Sequence, residues 1–201
     1  MKGYYFITDA SLSKAGNISD VQNAIAARVS VIQYRNKNAS IKQMCFEASQ
    51  LKDLCSEKTK LIINDRADVA LAVDADGVHL GQDDLDYKNA RTLLGTDKII
   101  GVTVHTLEEA ISAEKKGADY LGISPIFETS TKKDAGNAVG LDLIKEIKSE
   151  CTLPIIAIGG ITLENAKSVV DAGADGLCAI SSVVTKENVK IEILKFQELF
   201  K

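Results

Sequence analysis

The sequence predicts an α/β fold, a (β/α)8 barrel in which residues 1–201 form one domain. Three observations carry that prediction. Eight short β-branched runs alternate with segments whose apolar residues recur at steps of three and four, the signature of a parallel α/β fold. Dividing 201 residues by eight leaves about 25 per unit, close to the smallest βα repeat that short loops allow. Three segments, LAVDADGVHL, EKKGADYLGI and VDAGADGLCAI, also echo one another, each entering a strand through Ala-Asp.

The predicted strands are YYFIT (4–8), VSVIQYR (29–35), KLIIN (60–64), DGVHL (76–80), KIIGVTV (98–104), DYLGIS (119–124), LPIIAIGG (153–160) and DGLCAIS (175–181). Helical spacing lies between them, as in Ile41, Met44, Cys45, Ala48, Leu51 and Cys55, or Leu107, Ala110 and Ile111. The alternative, an open doubly wound sheet, wants a Gly-rich turn after its first strand, and ITDASLSK (7–14) supplies none. The two prolines, Pro125 and Pro154, mark no linker.

Composition narrows the function. With 24 Lys+Arg against 28 Asp+Glu and no basic run longer than two, the chain is not expected to bind nucleic acid. It shows no apolar stretch near the ~18 residues of a membrane span and no secretory h-region, so a cytoplasmic protein is expected. Cys45, Cys55, Cys151 and Cys178 form no CxxC pair and read as reduced, buried thiols within helices and strands, not as disulfides or zinc ligands. Homo-oligomerisation is left open.

Active sites of such barrels lie at the C-terminal strand ends, so polar residues there are the candidates. In IQYRNK, Gln33, Arg35 and Lys37 alternate onto one strand face, an arrangement suited to an anion, while Tyr34 points the other way. The next two strands end in Asn64-Asp65 and in GQDD, so Asp65 and Asp84 could share a hard divalent cation. Either aspartate could instead cap the helix that follows, as could Asp83. The longest connection, 124–140, offers Thr129, Thr131 and Lys132 to phosphate oxygens and reads as a mobile lid with Gly136 and Gly140 as hinges. Gly159 and Gly160 at the end of the seventh strand and AISS at the eighth match the phosphate site that recurs in these barrels. His79 and His105 lie at or near strand ends, where one could serve as acid or base, but each reads rather as a hydrogen-bonded core histidine.

QYRNK, NDRAD, DGVHLGQDD, GVTVH, GADYLGISPIFETSTKK and PIIAIGGITLENA, in that order, make the chain resemble the thiamine-phosphate synthase family. The resemblance runs from YYFITD (4–9) to ADGLCAISS (174–182). It implies a magnesium-dependent transferase that joins 4-amino-5-hydroxymethyl-2-methylpyrimidine diphosphate to 4-methyl-5-(2-phosphoethyl)thiazole and releases pyrophosphate. Its partners would be these phosphorylated small molecules. The same resemblance implies that Gln33, Tyr34, Arg35, Asn36, Lys37 and Asn64 hold the pyrimidine diphosphate and that Thr103 faces it. Asp65 and Asp84 would hold Mg2+, and Lys132 would grip the diphosphate, with Arg35, Lys37 and Lys132 catalytic. Thr129, Ser130, Thr131, Gly160, Ile180 and Ser181 would surround the thiazole phosphate. The chain departs from the family pattern at Thr103, where Ser is common, at Ser124-Pro125, where Gly-Pro is common, and at Ala27-Arg28, where a Gly-rich turn is common. A related thiazole tautomerase would use His105 for proton transfer and has no need of the diphosphate grip.

Overall fold

The computed structural model describes residues 1–55, 58–129 and 136–201. Its strands are β1 (Gly3–Tyr4), β2 (Phe6–Ile7), β3 (Val31–Tyr34), β4 (Lys60–Asn64), β5 (Gly77–Leu80), β6 (Ile99–Val104), β7 (Tyr120–Ile123), β8 (Ile155–Ile158) and β9 (Gly176–Cys178). All pair in parallel, in the order β1-β9-β8-β7-β6-β5-β4-β3-β2. The predicted first strand is thus two strands that share a seam. β1 pairs with β9 and β2 pairs with β3, so a single stretch of chain closes the barrel around Tyr5.

Helices α1 (Asn17–Ala26), α2 (Ile41–Leu54), α3 (Ala67–Ala72), α4 (Tyr87–Leu94), α5 (Leu107–Lys116), α6 (Asp142–Glu150) and α7 (Ala166–Asp171) cover the outside, followed by α8 (Ile180–Val184) and α9 (Val189–Gln197). None of the described helices is long and apolar enough to cross a membrane. The eighth predicted strand ends early: β9 stops at Cys178, and Ile180 and Ser181 begin α8 instead of continuing the sheet.

Strand alternation sorts the side chains into two cores. Outward residues such as Phe6, Ile32, Leu61, Ile63 and Val78 pack under the helices. Inward residues Tyr5, Ile7, Val31, Ile62, Tyr120, Ile156 and Cys178 fill the barrel. Glycine makes that filling feasible, because a Cβ on Gly101 would lie 2.1 Å from the Tyr120 ring. All four cysteines are free, Cys151 and Cys178 buried and Cys45 and Cys55 half-buried.

The Ala-Asp echo marks one structural device used three times at the N-terminal rim. Asp76, Asp119 and Asp175 each accept an N–H from the first or second residue of the neighbouring strand, from Leu61 (2.9 Å), Ile100 (2.7 Å) and Ile155 (2.9 Å). Each also meets a basic side chain on the outer face: Lys52 at 2.9 Å, Arg91 at 2.8 Å and Lys148 at 2.8 Å.

Candidate active site

The opposite, C-terminal rim holds a cavity lined by residues from the strand ends and the loops that follow them. β3 and the turn after it supply Gln33, Arg35 and Lys37 to it, as their alternation predicts. Tyr34 and Asn36 fall on the other face. The Tyr34 hydroxyl donates to Glu47 Oε2 at 2.6 Å and Asn36 Nδ2 donates to the same oxygen at 3.1 Å, so both side chains are turned to α2 and do not join the residues gathered in the cavity. The strand period explains the split.

Asp65 sits at φ +63°, a left-handed conformation that Asp tolerates better than most residues. Its side chain caps no helix, since α3 begins without a side-chain cap and α4 is capped by Asp86. The carboxylate instead accepts from Asn64 Nδ2 at 2.6 Å and lies 3.7 Å from Lys37 Nζ. Burial and the neighbouring Asp84 carboxylate push the Asp65 carboxyl up to about 6, against the opposing pull of Lys37 and Arg35. Asp84 is held in place by the Gly81 N–H, 2.7 Å from Oδ2. Two carboxylates crowded together beside Asn64 form an oxygen set that suits a magnesium ion, which takes one or two protein carboxylates and completes its shell with water and phosphate.

Arg35 is braced from the first strand. Its Nη1 lies 3.5 Å from Asp9 Oδ2, and its backbone N–H donates to Thr8 Oγ1 at 2.9 Å. Asp9 was not singled out from the sequence, although a polar residue at the end of the first strand is the signal that finds it. Across the cavity lie Thr129, Gly160, Ile180 and Ser181. Gly160 has φ +65°, and a Cβ there would come within 2.5 Å of the Glu128 carbonyl, so this position needs glycine to let the 125–129 segment pass. That segment is fixed to β8 by Ile126 N–H to Ile158 O (2.9 Å) and Phe127 N–H to Gly159 O (3.1 Å). The expected hinge Gly140 is tied down as well, its N–H donating to Ile126 O at 3.1 Å. Ser130, Thr131 and Lys132 lie outside the described residues.

A line of buried polar groups runs from the cavity wall through the barrel interior and back to it. Gln33 Nε2 donates to the Tyr5 hydroxyl (3.0 Å), which meets the Tyr120 hydroxyl (2.7 Å). Tyr120 in turn meets His79 Nδ1 (2.9 Å), and His79 Nε2 meets Thr103 Oγ1 (2.8 Å). His79 is therefore the hydrogen-bonded interior histidine expected. His105 lines the rim, with Nδ1 3.3 Å from Glu109 Oε2. Tyr5 and Tyr120 were missed because an inward Tyr in a strand run has the pattern of any core aromatic.

Residues 4–183 match the family model described as thiamine monophosphate synthase. Among curated proteins, the chain is 52% identical over 198 residues to a thiamine-phosphate synthase of Methanosarcina barkeri, covering 98% of this chain and 90% of that one. It is 49% identical over 187 residues to the thiamine-phosphate synthase of Chloroflexus aurantiacus, covering 92% and 86%. Among solved structures, a thiamine phosphate pyrophosphorylase from Pyrococcus furiosus superposes with a TM-score of 0.89 at 38% identity, covering 98% and 94%. A (S)-3-O-geranylgeranylglyceryl phosphate synthase from Thermoplasma acidophilum shares the fold alone, at a TM-score of 0.72 and 18% identity.

Proposed function

Because the chain belongs to the thiamine monophosphate synthase family, we propose that it condenses 4-amino-5-hydroxymethyl-2-methylpyrimidine diphosphate with 4-methyl-5-(2-phosphoethyl)thiazole to give thiamine phosphate and pyrophosphate. The observation that carries this reading is the meeting of Arg35, Lys37, Asn64, Asp65 and Asp84 on one side of a single cavity, with Thr129, Gly160, Ile180 and Ser181 on another. Two anionic groups need two such places.

In this reading the C–O bond at the pyrimidine methylene breaks and its electron pair leaves with pyrophosphate. The thiazole nitrogen then gives its lone pair to the methylene carbon. No proton is transferred, so no protein base or nucleophile is needed. Arg35 and Lys37 stand where negative charge grows on the leaving group, and they are preorganised by Asp9 and Asp65. Asp65 and Asp84 would hold magnesium, which when bound supplies charge neutralisation to the diphosphate. Lys132 belongs to the same grip by resemblance. Thr129, Gly160, Ile180 and Ser181 would hold the thiazole phosphate and so fix the nitrogen against the cationic carbon.

The test is to mix the purified protein with both substrates, with and without magnesium, and to follow thiamine phosphate as its oxidised fluorescent product. Magnesium-dependent formation is expected. No product from a folded protein that binds both substrates would overturn the reading.

A further inference from the structure

The buried line Gln33–Tyr5–Tyr120–His79–Thr103 takes one direction when Gln33 donates through Nε2 and every hydroxyl and ring hydrogen in the line is given a partner. Gln33 Nε2 carries only hydrogens, so at 3.0 Å from the Tyr5 oxygen it donates. Tyr5 has one hydrogen of its own, and the Tyr120 oxygen at 2.7 Å is positioned to receive it. The Tyr120 hydrogen then goes to His79 Nδ1 at 2.9 Å, which leaves the histidine protonated on Nε2. That Nε2–H donates to Thr103 Oγ1 at 2.8 Å, and the Thr103 hydrogen is left for the cavity. At the other end Gln33, 2% exposed and lining the same cavity, keeps its carbonyl oxygen for a donor.

The two tyrosines are the middle of the line, and neither lines the cavity. Their rings lie with centroids 5.9 Å apart, and that of Tyr120 is 5.4 Å from the His79 ring. Burial pushes both phenols up, so both keep their protons at neutral pH. In a buried line each O–H has one partner on either side, so reversing one bond reverses all of them. The reversed line would present the Gln33 amide hydrogens at one end and Thr103 lone pairs at the other.

We propose that Tyr5 and Tyr120 are positioning residues: their hydroxyls couple the Gln33 amide to the Thr103 hydroxyl through His79, so that Gln33 presents its carbonyl oxygen and Thr103 its hydroxyl hydrogen together to one substrate. A ligand that suits this polarity has an amino donor at one end and an anion at the other, and an aminopyrimidine diphosphate has both. The inference thus rests on the function proposed above and adds a basis for its choice of base. A 4-amino group satisfies Gln33, whereas a 4-oxo group meets the carbonyl oxygen with another acceptor.

Two measurements test it. The chain has two histidines, so 15N-labelled His79 is assigned by comparison with a His105→Gln variant. Protonation on Nε2 is expected, and a proton on Nδ1 would overturn the stated direction. The second measures the dissociation constants of the 4-amino and 4-oxo pyrimidine diphosphates without thiazole, in wild type, Tyr5→Phe and Tyr120→Phe. Wild type should prefer the amino form by at least about tenfold, the cost of a buried unsatisfied polar group. Either Phe variant frees the Gln33 amide to turn, and the preference should shrink to within about threefold. KM for the thiazole phosphate should stay the same. An unchanged preference in the folded variants, or equal weakening of both ligands, would overturn the proposal, since a merely structural role moves both together. Two Phe variants are used so that one folded protein suffices. Wild-type synthesis of thiamine phosphate, assayed in parallel, separates failure of the relay from failure of the reaction.

Discussion

Aspartates at the two ends of this barrel have opposite fates. At the N-terminal rim Asp76, Asp119 and Asp175 each receive a strand N–H and a Lys or Arg. At the C-terminal rim Asp65 and Asp84 are held against each other, with one backbone N–H, Asn64 and a more distant Lys37 as their support. For Asp76, burial would raise the carboxyl, but the Leu61 N–H with Lys52 and Lys60 outweighs it and holds the group below the ordinary range. For Asp65 the balance tips the other way, up to about 6. The same residue type is stabilised where it serves the fold and left short of positive partners at the rim where the proposed cation would sit, as perturbed carboxyls at functional sites generally are.

The largest effect that would break this comparison is expected at the C-terminal rim. Asp65→Asn and Asp84→Asn should each lower turnover by at least about 100-fold, while thermal melting shows no loss of stability. Asn also accepts the left-handed backbone of Asp65. Lys37→Ala is expected to lower kcat/KM by roughly 100-fold, measured with the pyrimidine diphosphate as varied substrate. At the N-terminal rim Asp76→Asn should cost about 2 kcal/mol in denaturant unfolding, because the strand N–H and two lysines lose their charged acceptor, with turnover unchanged.

That loss carries a pH dependence with a definite sign. The folded-state value of Asp76 lies below its unfolded value, so the folded protein binds fewer protons there. Its contribution is present in full above the unfolded value and fades as pH falls through the folded one. The stability difference between wild type and Asp76→Asn should therefore narrow below about pH 4 in urea melts. The smallest effect is expected at Arg28, in the turn from α1 to β3, where no Asp stands and the backbone has φ +60°. Arg28→Gly removes a left-handed strain of about 1 kcal/mol and should raise stability by a few tenths after the added freedom of the unfolded chain, read from denaturant midpoints.

Much of the fold was legible because its signals are local. Strand runs and the Ala-Asp echo each report on a few neighbouring residues, although the echo speaks for the repeating architecture and does not reveal the hydrogen bonds its aspartates make. The strand ends were less so: AISS looks like strand by composition, yet the chain turns into α8 at Ile180 once the barrel is closed. At the site, alternation placed Gln33, Arg35 and Lys37 together and turned Tyr34 away; Tyr34 and Asn36 entered with the family motif, which the resemblance carries as a unit. Asp65 looked equally like a helix cap, and only the turn at φ +63° shows it facing Lys37 and Asp84. The Tyr5–Tyr120 contact joins residues 115 apart in the chain, and no local pattern records such a meeting.

The central claim is that the C-terminal rim performs the chemistry and the N-terminal rim holds the barrel. It is tested most directly by measuring thiamine phosphate formation and melting temperature side by side in Asp65→Asn and Asp76→Asn. The account predicts a crossing: Asp65→Asn melts no lower than wild type and makes almost no product, while Asp76→Asn works like wild type and melts about 6 °C lower. An active Asp65→Asn, or an Asp76→Asn that loses activity without losing stability, would contradict it.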